Sequence, residues 1–249
     1  MSTIKLFCFP YAGGSATIYS KWASFLSMNK GIELIPVELS GRGKRIEEPL
    51  YKNLQDAVED LLMKIEPEIT DTPYAFFGHS LGGLLAYELA LKIKHLGVRQ
   101  PLHIFFSGRA APDVKSETKK KYHLMDEEEF KNEVIALGGT SKEFFNHPEL
   151  LALFMPMLRN DFKLAETDFH ERETDPFDYD ITILSGKDDH KVSAVQIDAW
   201  KGHTNTHCDI HYFEGGHFFL HDQVAGITKL ILDTMKRTSL KDINLYSRQ

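Results

Sequence analysis

Six short apolar runs recur along the chain with almost no polar alternation inside them: Ile4 to Phe9, Ile32 to Val37, Tyr74 to Phe77, Leu102 to Ser107, Ile181 to Ser185 and Asp209 to Phe213. A strand with one wet face alternates apolar and polar residues, whereas a strand covered on both faces does not. The runs therefore predict a parallel sheet buried from both sides. Between them lie helical stretches. Gln55 to Ile69 and Gln223 to Met235 carry apolar residues at three- and four-residue spacing, and Leu84 to Ala90 is rich in strong helix formers, with Gly97 as a stop. Strand and helix alternating in this way imply a doubly wound α/β sheet. At 249 residues, 42% of them hydrophobic, the chain can build this as one large domain.

One stretch breaks the alternation. From about Asp113 to Pro176 no strand pattern occurs, but Asp126 to Leu137 and Pro148 to Leu158 read as helices. A crossover between neighbouring strands needs far fewer residues, so 113–176 is expected to be an inserted helical lid. Its Lys119-Lys120-Lys121 run reads first as a solvated helix face. The segment after Arg237 is polar and reads as a frayed tail.

The net charge of −7 argues against a general nucleic-acid binder. Cys8 and Cys208 fall in strand-like segments and read as packing residues of a reducing compartment. Nothing at the N-terminus resembles a signal peptide and no apolar run is long enough to cross a bilayer. A cytoplasmic protein that does not engage membranes is the expectation, with a monomer as the default.

The most informative segment runs from Tyr74 to Leu84 and holds Gly78-His79-Ser80-Leu81-Gly82, a Gly-x-Ser-x-Gly pattern between a strand and a helix. This context lets a serine sit on a sharp, strained turn above the sheet edge. The flanking glycines let backbone pass backbone without a Cβ in the way. The helix that starts there favours negative charge at its first turn. A serine hydroxyl needs a base to take its proton, and the base needs an acid to orient it. On an α/β-hydrolase fold the chain order is Ser, then Asp or Glu, then His. Asp188 and Asp189 follow the strand that ends at Ser185, and His217 follows the strand that ends at Phe213. Strand carboxyl ends are where a doubly wound sheet places its site. The residues themselves do not separate Asp188 from Asp189. His79 is adjacent to Ser80 on a tight turn and poorly placed to reach its hydroxyl, and His221 falls a helical turn past the strand end.

Acyl transfer also needs donors for an oxyanion. The Leu81 backbone N–H is one candidate; the turn Phe9-Pro10-Tyr11-Ala12-Gly13-Gly14-Ser15 offers the Ala12 N–H as a second. His217 and His221 have the spacing of a zinc pair but lack the glutamate of the metalloprotease motif, and no dinucleotide or phosphate loop occurs. Neither metal nor cofactor is indicated.

These motifs together resemble the type II thioesterases that accompany nonribosomal peptide and polyketide synthases. The likeness rests on Phe9 to Gly14, Gly41-Arg42-Gly43-Lys44-Arg45 and Gly78 to Gly83. It continues with Tyr122-His123-Leu124, Leu137-Gly138-Gly139-Thr140 and Leu158-Arg159-Asn160-Asp161-Phe162. Gly186-Lys187-Asp188-Asp189 and Gly215-Gly216-His217-Phe218 complete it. Ser40, where the family often has proline, and Thr167-Asp168-Phe169, where a tyrosine is expected, depart from it.

The resemblance implies Asp189 as the acid and His217 as the base. It also implies a lidded enzyme that releases wrong or stalled acyl groups from the phosphopantetheine arm of acyl-loaded carrier proteins; the arm belongs to the partner, so the enzyme carries no cofactor. Carriers tend to be acidic, so docking would need a local basic patch; the lid lysines and Arg42 or Arg45 are candidates. Three other readings use the same residues: a carboxylesterase or lipase-like hydrolase, an acyltransferase, and a binding protein that keeps the fold without chemistry.

Overall fold

The computed structural model describes residues 3–26, 31–115, 120–138 and 147–246. Six parallel strands, β1 (Ile4–Phe9), β2 (Ile32–Pro36), β3 (Tyr74–His79), β4 (Ile104–Ser107), β5 (Ile181–Gly186) and β6 (Cys208–Phe213), form one sheet in the order β2-β1-β3-β4-β5-β6. The α-helices are α1 (Ser20–Leu26), α2 (Leu54–Ile69), α3 (Leu81–Leu96), α4 (Glu127–Leu137), α5 (Pro148–Ala165), α6 (Ala194–Asp198) and α7 (Val224–Tyr246).

Alternate residues of each strand serve opposite cores. Phe7, Phe9, Tyr74, Phe76, Ile104 and Phe106 pack with α2 and α3, whereas Leu6, Cys8, Ala75, Phe77 and Phe105 pack with α1 and α7. Both sets are apolar, which is why the strands read as unbroken runs. The outer strands differ from that expectation. β6 is half-buried along most of its length and β2 has exposed positions, because an edge strand has a neighbour on one side only.

Strand order reverses at β1: its chain successor β2 lies on one side, while β3 lies on the other. Loops leaving the carboxyl ends of β1 and β3 diverge there, and the crevice between them is where such sheets take ligands. Two glycines set how closely the elements meet. A Cβ on Gly78 would lie 2.1 Å from the Gly82 carbonyl oxygen, and one on Gly82 would lie 2.0 Å from that of Phe9. Only hydrogen at both positions lets α3 start directly against β3 and β1.

Between β4 and β5 the described residues hold a 3-10 turn (Tyr122–Leu124), α4 and α5, and no strand. Phe130, Val134, Met155 and Leu158 form a small core of their own. Arg159 ties the two ends of this region together, donating from Nη1 to the carbonyls of His123 (3.0 Å) and Met125 (2.6 Å) and lying 4.3 Å from the Phe130 ring centroid. Lys119, Gly139 and Thr140 of the sequence motifs lie outside the described residues. Beyond Arg237 the expected frayed tail is instead helical, since α7 continues to Tyr246. The short helices α1 and α6 carry no periodic pattern long enough to announce them. In α1, Trp22 and Leu26 alone are buried.

Candidate active site

Ser80 stands between β3 and α3 with φ 53° and ψ −111°, the single non-glycine residue with positive φ among those described. Such a conformation costs roughly 1–3 kcal/mol and persists only where the surroundings impose it. Here the Ser80 N–H donates to the Ser107 carbonyl at the end of β4 (2.8 Å), and its own carbonyl accepts from Gly83 (3.0 Å) and Leu84 (3.3 Å) in the first turn of α3. The first amides of a helix have no intrahelical partner, so Leu81 presents its N–H at the helix mouth beside Ser80.

The loops after β5 and β6 are knitted to each other. Lys187 N–H donates to the Phe213 carbonyl (2.8 Å) and Asp188 N–H to that of Gly215 (3.0 Å). A Cβ on Gly186 would meet the Gly216 oxygen at 2.4 Å. This brings His217 Nδ1 to 2.8 Å from Asp189 Oδ2, with the Asp189 side chain fully buried and that of His217 12% exposed. The second Asp189 oxygen accepts the Lys191 N–H (3.0 Å). Asp188 is exposed. Of the two adjacent aspartates, the structure therefore sets Asp189 on the histidine.

The two rival histidines have other partners. His79 is fully buried, with Nδ1 2.8 Å from Ser107 Oγ. Burial, reinforced by His217 and His221, holds its pKa well below the usual histidine range, so it stays neutral. His221 Nε2 lies 2.9 Å from the Tyr11 hydroxyl, and burial lowers its pKa as well.

Ser80, His217, Tyr11 and Ala12 share the wall of one cavity of about 560 Å³, roofed by Tyr122, Leu137, Phe162 and Phe169 of the β4–β5 insertion. Arg109, which the sequence reading passed over, also lines it. Its Nη2 donates to the Ala165 carbonyl at the end of α5 (3.0 Å), and burial pushes its pKa down to about 10. Its place just past the carboxyl end of β4 is the signal that would have found it. Lys121 and Lys191 line the cavity too. Arg42 and Arg45 do not serve as surface basic groups. They are 4% and 9% exposed, and both are paired, Arg42 with buried Asp161 and Arg45 with half-buried Asp60 and exposed Glu48. Among the described residues no group of three or more His, Cys, Asp or Glu side chains is placed to hold a metal ion, and no helix is long and apolar enough to cross a membrane.

Residues 4–235 match the thioesterase domain family. The chain belongs to the thioesterase family. Among curated relatives, the gramicidin S biosynthesis protein GrsT of Aneurinibacillus migulanus is 36% identical over 88% of this chain and 84% of its own length. The structure of ClbQ from the colibactin NRPS/PKS pathway superposes with a TM-score of 0.89 at 34% identity, covering 96% of this chain and 99% of ClbQ. The type II thioesterase BorB from the borrelidin biosynthetic cluster gives 0.79 at 29% identity, over 93% and 90%. These likenesses set the chain among the type II thioesterases, on an α/β-hydrolase sheet with a lid.

Proposed function

We propose that this thioesterase hydrolyses acyl thioesters carried on the phosphopantetheine arm of carrier proteins, clearing wrong or stalled acyl groups from a nonribosomal peptide or polyketide synthase. The observation that carries the site assignment is the 2.8 Å bond between His217 and buried Asp189, on the wall of the cavity that also holds strained Ser80. The names of ClbQ and BorB, with their NRPS/PKS and biosynthetic-cluster settings, support the substrate class.

His217 takes the Ser80 hydroxyl proton as Oγ bonds to the thioester carbonyl carbon. Asp189 accepts from Nδ1, which leaves Nε2 as the base and stabilises the imidazolium. The Leu81 and Ala12 amides bind the oxyanion. Collapse breaks the C–S bond, and the thiolate leaves with the proton from His217. Water then repeats the sequence on the acyl-Ser80 ester, giving the free acid and restoring the hydroxyl. The 113–176 segment acts as the lid subdomain; it shapes a channel for the arm and limits water. Lys121 and Lys191 supply positive charge along the cavity for an acidic carrier. The enzyme works as a cytoplasmic monomer.

The test is acid release from an acetyl-loaded carrier protein by wild type and Ser80→Ala. Release by the wild type and a loss of several orders of magnitude in the variant is expected. A wild type that leaves the carrier loaded while cleaving simple esters through Ser80 refutes the substrate class and keeps the site.

A further inference from the structure

A buried ion pair outside the triad ends on the backbone that carries one of the oxyanion donors. Arg42 donates from Nη1 to Asp161 Oδ2 (2.6 Å) and from Nη2 to Oδ1 (2.7 Å), a fork-on-fork contact. Asp161, in the second half of α5, is fully buried, and Arg42 is 4% exposed. The pair does not close on itself. The Gly13 N–H donates to Asp161 Oδ2 (2.7 Å), and Arg42 Nη1 donates to the Gly14 carbonyl (3.0 Å). Gly14 N–H in turn donates to the Tyr11 carbonyl (2.9 Å), closing a four-residue turn with Ala12 and Gly13 in its middle.

Gly13 takes φ +79°, the positive value that a type II turn asks of its third residue. A Cβ there would meet Leu158 Cδ1 at 2.7 Å and Phe154 Cζ at 3.0 Å, both on α5. The turn is thus pressed against the helix as well as hydrogen-bonded to it. Asp161 takes the Gly13 amide and holds it toward α5, which leaves the neighbouring Ala12 on the wall of the cavity with Ser80.

We infer that Asp161, clamped by Arg42, is a positioning residue for catalysis: it sets the Tyr11–Gly14 turn so that the Ala12 amide meets the oxyanion. The inference rests on the proposed thioesterase mechanism and names a residue that acts through the turn without touching substrate. The second half of α5 is thereby held by a buried bidentate pair against the loops that follow β1 and β2.

Solvation argues for a role beyond glue. A buried ion pair is commonly no more stabilising than apolar side chains of the same volume. A carboxylate that also accepts a backbone N–H, however, fixes that peptide plane more firmly than packing does.

The experiment compares full-length wild type, Asp161→Asn and Arg42→Lys. It reads kcat and KM on an acyl carrier, melting temperature, and affinity for an alkyl boronic acid, which binds Ser80 Oγ as a tetrahedral anion. Losing one oxyanion donor outright costs on the order of 10²–10³ in kcat. A donor displaced but still present should cost about 10- to 100-fold, with KM within about threefold and boronate affinity falling in step with kcat/KM. Arg42→Lys keeps the charge and loses the fork, and should show the same pattern at smaller size; it carries the test if Asp161→Asn does not fold. Variants that melt earlier but keep wild-type kcat and boronate affinity overturn the inference and leave the thioesterase reading intact. A wild type that neither turns over thioester nor reacts with a fluorophosphonate removes both.

Discussion

Replacing Gly82 by alanine tests how the site is assembled more directly than replacing any reacting group. The added Cβ would sit 2.0 Å from the Phe9 carbonyl oxygen, 2.6 Å from its carbon and 2.8 Å from the Pro10 oxygen, all of them backbone. To bring the shortest contact out to 3.0 Å, the gap between the start of α3 and the end of β1 must open by at least about 1 Å. Ser80 and Leu81 are on one side of that gap, and Tyr11 and Ala12 are on the other. The substitution therefore pulls nucleophile and one oxyanion donor away from the second donor. Overpacking of this kind costs about 1–3 kcal/mol, and a misplacement of about 1 Å costs on the order of 100-fold in rate. Gly83→Ala, in the same helix, and Gly97→Ala, at its C-cap, are the controls. Gly97 has φ +67° with nothing within 4 Å of a Cβ, so alanine there strains the cap by about 1–2 kcal/mol without moving the site. A Cβ on Gly83 meets the Gly78 oxygen at 3.3 Å, which a small shift relieves, and the Arg109 Cβ at an ordinary contact distance of 3.5 Å. Thermal unfolding and acid release from an acetyl-loaded carrier separate the cases. Gly82→Ala with wild-type turnover, or Gly97→Ala as inactive as Gly82→Ala, refutes the close-approach argument.

Two further outcomes are expected. Asp189→Asn should lower kcat by about 10⁴-fold through the wrong His217 tautomer, while Asp188→Asn, at an exposed carboxylate, should stay within about twofold; equal effects would show that the bond to His217 is not what matters. Stability should fall as pH drops below about 6.5, because His79, His203 and His221 are each held below their ordinary pKa, with burial as the first cause. In each case the unfolded chain takes up the proton first, so stability is full above the unfolded value and is lost as pH falls toward the folded one. His79, whose pKa full burial holds well below the usual histidine range, contributes to that loss as pH falls from about 6.5 to 5.5. Melting curves of wild type and His79→Gln over that interval check it, and an unchanged slope in the variant counts against the assignment.

The legible and illegible parts of the molecule divide along a physical line. The central strands were readable because both faces are buried, so their apolar runs carry no gaps; edge strands β2 and β6 were assigned from the same signal although they are half-exposed. Ser80 was readable because it follows β3 directly, and His217 because it lies in the short loop just past the end of β6. Their strand ends are brought level by the parallel register, in which Phe9 faces Gly78, His79 faces Ser107 and Gly186 faces Phe213. Local pattern reports the period of burial and the chemistry at element ends, and nothing more distant.

Pairings between residues far apart in the chain needed the folded sheet. Asp188 and Asp189 differ only in which side of a turn they face, and the knitting of that turn to Gly215 decides it. Arg42 has the sequence features of a surface cation, yet it reaches Asp161 across 119 residues and is buried with it. Arg109 meets the carbonyl of Ala165 at the far end of the lid. By itself, the sequence determined a two-faced parallel sheet, an insertion before Ile181 and a serine, a histidine and a pair of aspartates at strand ends. The tertiary structure supplied the contact behind Asp189, which the family resemblance had already implied, and alone decided which arginine those ends meet, because the order of strands in a sheet sets long-range contacts and is not written in any local run of residues.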